Sequence, residues 1–174
     1  MENKKINNNN IKKSPISKPS YLSKISEKVY LGGSVGSSYK MLEKENIHNV
    51  LSCIGTFSPK YTPEQKINQK IISIIDLPTE NILKILKGCI EFIENSDKVY
   101  IHCMQGISRS ASIVIAYFMW KNKLSYDDAL KLVKKQRPIV KPNEGFKKQL
   151  LVFENLLKEK NYELNNIDFD SAKW

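Results

Sequence analysis

Short apolar runs alternate along this chain with longer stretches in which apolar positions recur every three or four residues. Residues 25–31, 50–54, 70–75 and 99–102 are runs of the first kind, and they predict four strands, the first ending at Gly32 and Gly33. In 79–94 the side chains Ile82, Leu83, Ile85, Leu86, Ile90 and Ile93 follow helical spacing, and 110–120, 125–136 and 143–158 also read as helices. A shorter helix running to Asn46 starts from Ser37 or Ser38. Ser125 and Asp128 stand at capping-box spacing, and Asn143 is placed to cap the last helix. Strands separated by helices predict an α/β fold, a twisted and mostly parallel central sheet with helices on its faces.

The two flanks depart from this pattern. Residues 1–20 hold four consecutive Asn, five Lys against Glu2, and a Ser/Pro-rich stretch, which cannot bury enough apolar surface to order itself; Ser14-Pro15 is a candidate phosphorylation site there. A single domain is therefore expected over 21–160, followed by a loosely held tail over 161–174 onto which Phe169 and Trp174 can dock. Three cysteines at wide spacing and two histidines suggest neither a disulfide framework nor a metal site, and point to a reducing compartment: the cytoplasm, with the nucleus also compatible. No secretory leader, lipidation motif or membrane anchor is read.

The net charge is +10, and residues 121–148 concentrate nine basic residues against three acidic ones. That face is either a solvated surface or one that steers anionic partners such as phosphoproteins. Nucleic acid is disfavoured, because no aromatic residues interleave the lysines and no nucleic-acid motif appears. Oligomeric state is not legible.

Chemistry concentrates at two strand ends. The 99–102 run delivers Cys103, and Met104, Gln105, Gly106, Ile107, Ser108 and Arg109 then lead straight into a helix starting near Ser110. Successive backbone N–H groups and the positive end of that helix can converge there on one anion. They would stabilise a thiolate at Cys103 and a substrate phosphate in turn, since the thiolate is the nucleophilic form of a thiol. The planar guanidinium of Arg109 suits two phosphate oxygens at once. Gly106 permits the tight turn. The 70–75 run delivers Asp76, placed to protonate a leaving oxygen and then to activate water, and ligands of open α/β sheets lie at the carboxyl ends of strands. His102, a strand neighbour of Cys103, points to the other side of the sheet and reads as a buried support, Ser108 as a loop hydroxyl, and Cys53 and Cys89 as core.

His102-Cys103, five intervening residues, then Arg109-Ser110 resembles the signature of the protein tyrosine phosphatase superfamily. Further landmarks are similar to its dual-specificity branch: residues 29–32, Asp76-Leu77-Pro78 with Asn81, residues 116–119, residues 129–133, Arg137-Pro138 and residues 142–146. The segment 56–69 departs from that pattern. The resemblance implies a phosphatase-type fold, no cofactor, phosphorylated proteins as partners, catalysis by Cys103, Arg109 and Asp76, and a Ser110 hydroxyl that eases departure of the thiolate. It further implies a shallow pocket open to phosphotyrosine and to phosphoserine or phosphothreonine, since no segment resembles the loop that deepens the pocket of classical tyrosine phosphatases. Two rival readings stand beside it. A phosphatase of inositol lipids, glucans or RNA ends is disfavoured because lipid-directed relatives place lysines in the loop, where Met104, Gln105, Ile107 and Ser108 stand here. A phosphate-binding protein without turnover would not need Cys103, Arg109 and Asp76 together.

Overall fold

The computed structural model describes residues 21–174, so the expected disordered tail and Ser14-Pro15 lie outside the described residues. Five strands form one sheet in the order β1-β2-β5-β3-β4: β1 (Leu22–Lys24), β2 (Val29–Gly32), β3 (Asn49–Ser52), β4 (Asn68–Ile71) and β5 (Val99–His102). Only the edge strand β1 runs antiparallel; the other pairs are parallel. The expected α/β architecture is therefore present, with one strand more than the pattern indicated. Residues 25–31 are not one strand, because the chain reverses at Ser26, whose hydroxyl accepts the N–H groups of Lys28 and Val29 at 3.3 and 3.0 Å. The polar Ser26, Glu27 and Lys28 form the turn of a hairpin.

Register sorts the side chains onto two faces. Leu31, Ile101 and Leu51 align on one face and belong to the main core, beneath α2 (Leu83–Glu94), α3 (Arg109–Lys121), α4 (Tyr126–Gln136) and α5 (Glu144–Glu159). Tyr30, Tyr100 and Val50 align on the other, where Leu42 of α1 (Tyr39–Lys44) and Ile47 complete a smaller core. Helix α3 lies at the centre, with Ser110 to Met119 buried throughout. Each fully buried aliphatic side chain in such a layer contributes about 1.5–3 kcal/mol of transfer free energy.

Three boundaries moved, each for a tertiary reason. β4 ends at Ile71, four residues earlier than the run of isoleucines suggested. Its partner β3 ends at Ser52, and Gly55 then turns the chain away at φ +54°, so beyond Ile72, which still bonds to Ser52 and Gly55, residues 73–75 continue without a ladder. Helix α2 starts at Leu83, not at Thr79. No side chain at its own start caps it; Gln149 of α5 does so instead, its Oε1 accepting the N–H of Ile82 at 2.7 Å while its Nε2 donates to the Glu80 carbonyl at 2.8 Å. The C-terminal segment, expected to be loosely held, buries Leu164, Ile167 and Phe169, with the Phe169 ring 6.0 Å from that of Phe153. Three apolar side chains in six residues give it enough surface to dock, whereas Trp174 stays largely exposed. Ser125 and Asn143 cap α4 and α5 as their positions predict, accepting the N–H groups of Asp128 at 3.2 Å and Phe146 at 2.9 Å.

Candidate active site

The loop between β5 and α3 is a cup whose backbone is turned inside out. All six carbonyls from Cys103 to Ser108 lie against donors outside the cup. His102 Nδ1 faces Cys103 at 3.3 Å, the Ser34 N–H donates to Met104 at 3.0 Å, and the Lys141 N–H donates to Ile107 at 2.8 Å. The Ser112 N–H and hydroxyl both donate to Ser108 at 2.8 Å. Gln105 and Gly106 are served by one residue, Arg137, whose Nη2 and Nε donate to them at 2.7 and 2.8 Å while Nη1 donates to the Ser23 hydroxyl at 3.1 Å. With the carbonyls pulled outward, the N–H groups are left to face inward, which is the arrangement that binds an anion. Gly106 makes this geometry possible: its φ is +67°, and a Cβ there would lie 2.3 Å from the Gly32 carbonyl oxygen.

Cys103 sits at the bottom of the cup, 2% exposed. Its Sγ accepts the Gly106 N–H at 3.2 Å and the Ser110 hydroxyl at 3.3 Å. Burial pushes its pKa up, but the Ser110 hydroxyl and the N–H groups of Ser110, Gly106 and Gln105 outweigh burial and hold it below the ordinary thiol value. The other two cysteines show the contrast. Burial drives Cys53 well above that value and Cys89 up to about 12, so both are packed thiols. His102 is fully buried and pushed down to about 4 by burial, hence neutral. Its Nε2 lies 2.7 Å from the Ser52 hydroxyl in the cross-strand register, and the Tyr100 ring stacks on it at 5.5 Å. The Ser52 oxygen in turn accepts from Gln69 Nε2 at 3.0 Å. With Nδ1–H aimed at the Cys103 carbonyl, this chain serves one neutral tautomer throughout.

Arg109 Nη1 leans on the carbonyls of Ile74 and Cys53 at 3.4 and 3.5 Å. Its Nε is buried with no hydrogen-bond partner among the described residues, and Asp76 Oδ2 stands 3.9 Å from it. A buried unpaired guanidinium donor costs about 1–3 kcal/mol, a cost that a bound oxyanion would remove. Asp76 reaches the same cleft across the chain: its Oδ1 accepts the Ser108 hydroxyl at 2.6 Å and Asn143 Nδ2 at 2.8 Å. Asp76, Cys103, Met104, Gln105, Ile107, Ser108 and Arg109 together line a cleft of about 220 Å³. Of the catalytic and phosphate-binding residues singled out from sequence, Gly106 and Ser110 do not line it: both are buried, and each donates to the sulfur from behind the cleft wall. Among the described residues no cluster of three or more His, Cys, Asp or Glu is placed to hold a metal ion.

Two residues that orient the site stood in the sequence only among the family landmarks, with no role in the site legible for either. Arg137 follows α4 among surface lysines, and nothing local distinguishes it as the clamp on the loop. Asn143 reads as a helix cap, which it is, but its amide also holds Asp76. Gly145, two residues on, packs so closely against the loop that carries Asp76 that a Cβ would lie 1.9 Å from the Pro78 carbonyl oxygen.

Residues 29–156 match the family model described as "Dual specificity phosphatase, catalytic domain". The chain belongs to the dual specificity phosphatase family. It is 38% identical over 134 residues to protein-tyrosine-phosphatase MKP1 of Arabidopsis thaliana, a match over 74% of this chain and 17% of the relative. A probable dual specificity protein phosphatase of Dictyostelium discoideum is 41% identical over 141 residues, covering 79% of this chain and 35% of that protein. The chain thus spans well under half the length of these two relatives. The crystal structure of DUSP15 superposes with a TM-score of 0.75 at 30% identity, over 86% of this chain and 98% of that one. Among the described residues no helix is long and apolar enough to cross a membrane.

Proposed function

We propose that this dual specificity phosphatase domain hydrolyses phosphotyrosine, and phosphoserine or phosphothreonine, in proteins through a cysteinyl-phosphate intermediate. The observation that carries the reading is the meeting of a hydrogen-bonded sulfur, an unpaired guanidinium N–H and a carboxylate around one small cleft. The Cys103 thiolate attacks phosphorus in line with the ester oxygen, and the S–P bond forms as the O–P bond breaks. The leaving oxygen keeps the electron pair and takes a proton from Asp76, while inward N–H groups and Arg109 hold the three equatorial oxygens. Water then attacks the phosphocysteine and gives its proton to Asp76 as the S–P bond breaks. The electron pair returns to sulfur, where the Ser110 hydroxyl stabilises the departing thiolate. Inorganic phosphate is the second product. The protein-directed reading is supported by the uncharged variable positions of the loop, Met104, Gln105, Ile107 and Ser108, which offer nothing extra to a polyphosphorylated headgroup.

The test is phosphate release from a phosphotyrosine peptide in a metal chelator, comparing wild type with Cys103→Ser at matched folding. A rate abolished by the substitution is expected, with radiolabel trapped on Cys103 by denaturing quench and accumulating further in Ser110→Ala. A Cys103→Ser protein that still turns over, or a folded wild type that binds the peptide without releasing phosphate, overturns the reading.

A further inference from the structure

Beside the cleft lies a second concavity of about 320 Å³ that shares Met104, Gln105 and Ile107 with it. Its other walls include Tyr21, Val35 and Ile139. With Met104 these are large apolar side chains exposed to 62%, 57%, 40% and 50% for Tyr21, Val35, Ile139 and Met104 respectively, gathered on one groove. Exposed apolar clusters of this kind mark binding surfaces. We infer that this groove is a substrate subsite that receives a bulky aliphatic or aromatic side chain close in sequence to the phosphorylated residue, and not a second phosphate. The inference rests on the phosphatase reading for what occupies the adjoining cleft.

The walls decide the polarity of the occupant. Four backbone carbonyls around the groove are already committed: Met104 to the Ser34 N–H, Gln105 and Gly106 to Arg137, and Gly33 to the Tyr100 hydroxyl at 2.6 Å. Among the described residues Arg137 is the one charged residue lining the groove, yet it is 4% exposed and each of its three guanidinium nitrogens already donates a hydrogen bond, to Gly106, Ser23 and Gln105. What remains for an incoming group is apolar surface plus the neutral tips of Tyr21 and Gln105, neither of which offsets the desolvation of a dianion. An apolar side chain loses nothing there and gains burial. Because the two concavities share the wall from Met104 to Ile107, an extended peptide rising about 3.3 Å per residue reaches the groove within one to three residues of its phosphate.

The experiment uses phosphotyrosine peptides of one parent sequence in which each flanking position in turn is Ala, Leu, Phe, Glu or phosphothreonine. At one position Leu or Phe is expected to exceed Ala by about tenfold in kcat/KM, chiefly through KM, the scale on which an apolar pocket discriminates. Val35→Asp and Ile139→Asp should erase that preference while leaving the turnover of p-nitrophenyl phosphate, which has no flanking residue, within about twofold. The same peptides titrated against Cys103→Ser by fluorescence anisotropy give the preference without catalysis. Activity on p-nitrophenyl phosphate with no apolar preference in either assay, or a preference for Glu or phosphothreonine, or one that survives both variants, overturns the subsite. Absence of all turnover with the binding preference intact would instead overturn the phosphatase reading and leave the subsite standing.

Discussion

The two loops that meet over the cleft are held in opposite ways. From Cys103 to Ser108 every carbonyl is engaged outside the cup, by a strand neighbour, a buried arginine, two loops and the next helix. Between Ser73 and Asn81 the only backbone–backbone bond among the described residues is Glu80 N–H to the Leu77 carbonyl at 3.1 Å, and Ile75 and Leu77 stand exposed. Asp76 itself is positioned by two side chains, Ser108 and Asn143, that belong to other elements. A binding cup must be pre-organised, because any reorganisation during reaction is lost stabilisation. Under the proposed mechanism the proton donor must meet leaving oxygens at different reaches, and a side-chain tether on a sparsely bonded loop suits that better than a ladder.

The largest effect should follow from breaking the rigid half. Gly106→Ala places a Cβ against the Gly32 backbone at a positive φ, so the loop must refold and its N–H groups scatter. With donors in such sites worth roughly 10² to 10³ each, a fall in kcat of about 10⁴-fold is expected. Retained second structure by circular dichroism would locate the loss in the loop, and a rate within tenfold of wild type would contradict the cup. The acid loop should respond differently. Asp76→Asn keeps shape and hydrogen bonds yet has no proton to give, and a drop of about 10³-fold is expected for phosphotyrosine and alkyl phosphates. The drop should shrink as the leaving group becomes more acidic, as a fluorinated umbelliferyl phosphate would show; a loss independent of leaving group would make Asp76 a binding residue.

The smallest effect concerns the foundation of the cup. His102 is neutral when folded, with burial holding it near 4 instead of 6.5. The unfolded chain therefore binds more protons than the folded one between those values, and this residue's stabilisation falls as pH drops from 6.5 to about 4, then levels off. The span corresponds to about 3 kcal/mol. Urea unfolding at pH 7 and pH 4 should show the stability gap between wild type and His102→Asn narrowing by that amount; a constant gap would mean that His102 titrates alike in the folded and unfolded chain, and a widening one that it is held charged when folded.

How much of this was legible beforehand differs between the same two loops. Cys103 through Ser110 is contiguous, so spacing alone assembles nucleophile, turn, guanidinium and helix start, and the local pattern of strand then helix points them at one place. Asp76 was identifiable from its loop, but its distance beyond β4 was not, because the end of a parallel strand depends on where its neighbour ends. The hairpin at Ser26 and the burial of Leu164 and Ile167 escaped for the same reason, although Phe169 had been placed to dock: pairing and docking are made by partners distant in the chain.

Taken alone, the order of apolar and polar residues determined the α/β layering, the loop from Cys103 to Arg109 that leads from strand to helix, and the proposal for its chemistry, since each depends on neighbours within about ten residues. Tertiary structure alone decided which way the loop carbonyls face, through Arg137, His102, Ser34 and Lys141; where the Asp76 carboxylate rests, through Ser108 and Asn143; and that apolar surface from three separate segments forms a groove beside the cleft. Those are matters of solvation and pairing between groups remote in sequence, and only the folded chain brings them within hydrogen-bonding distance.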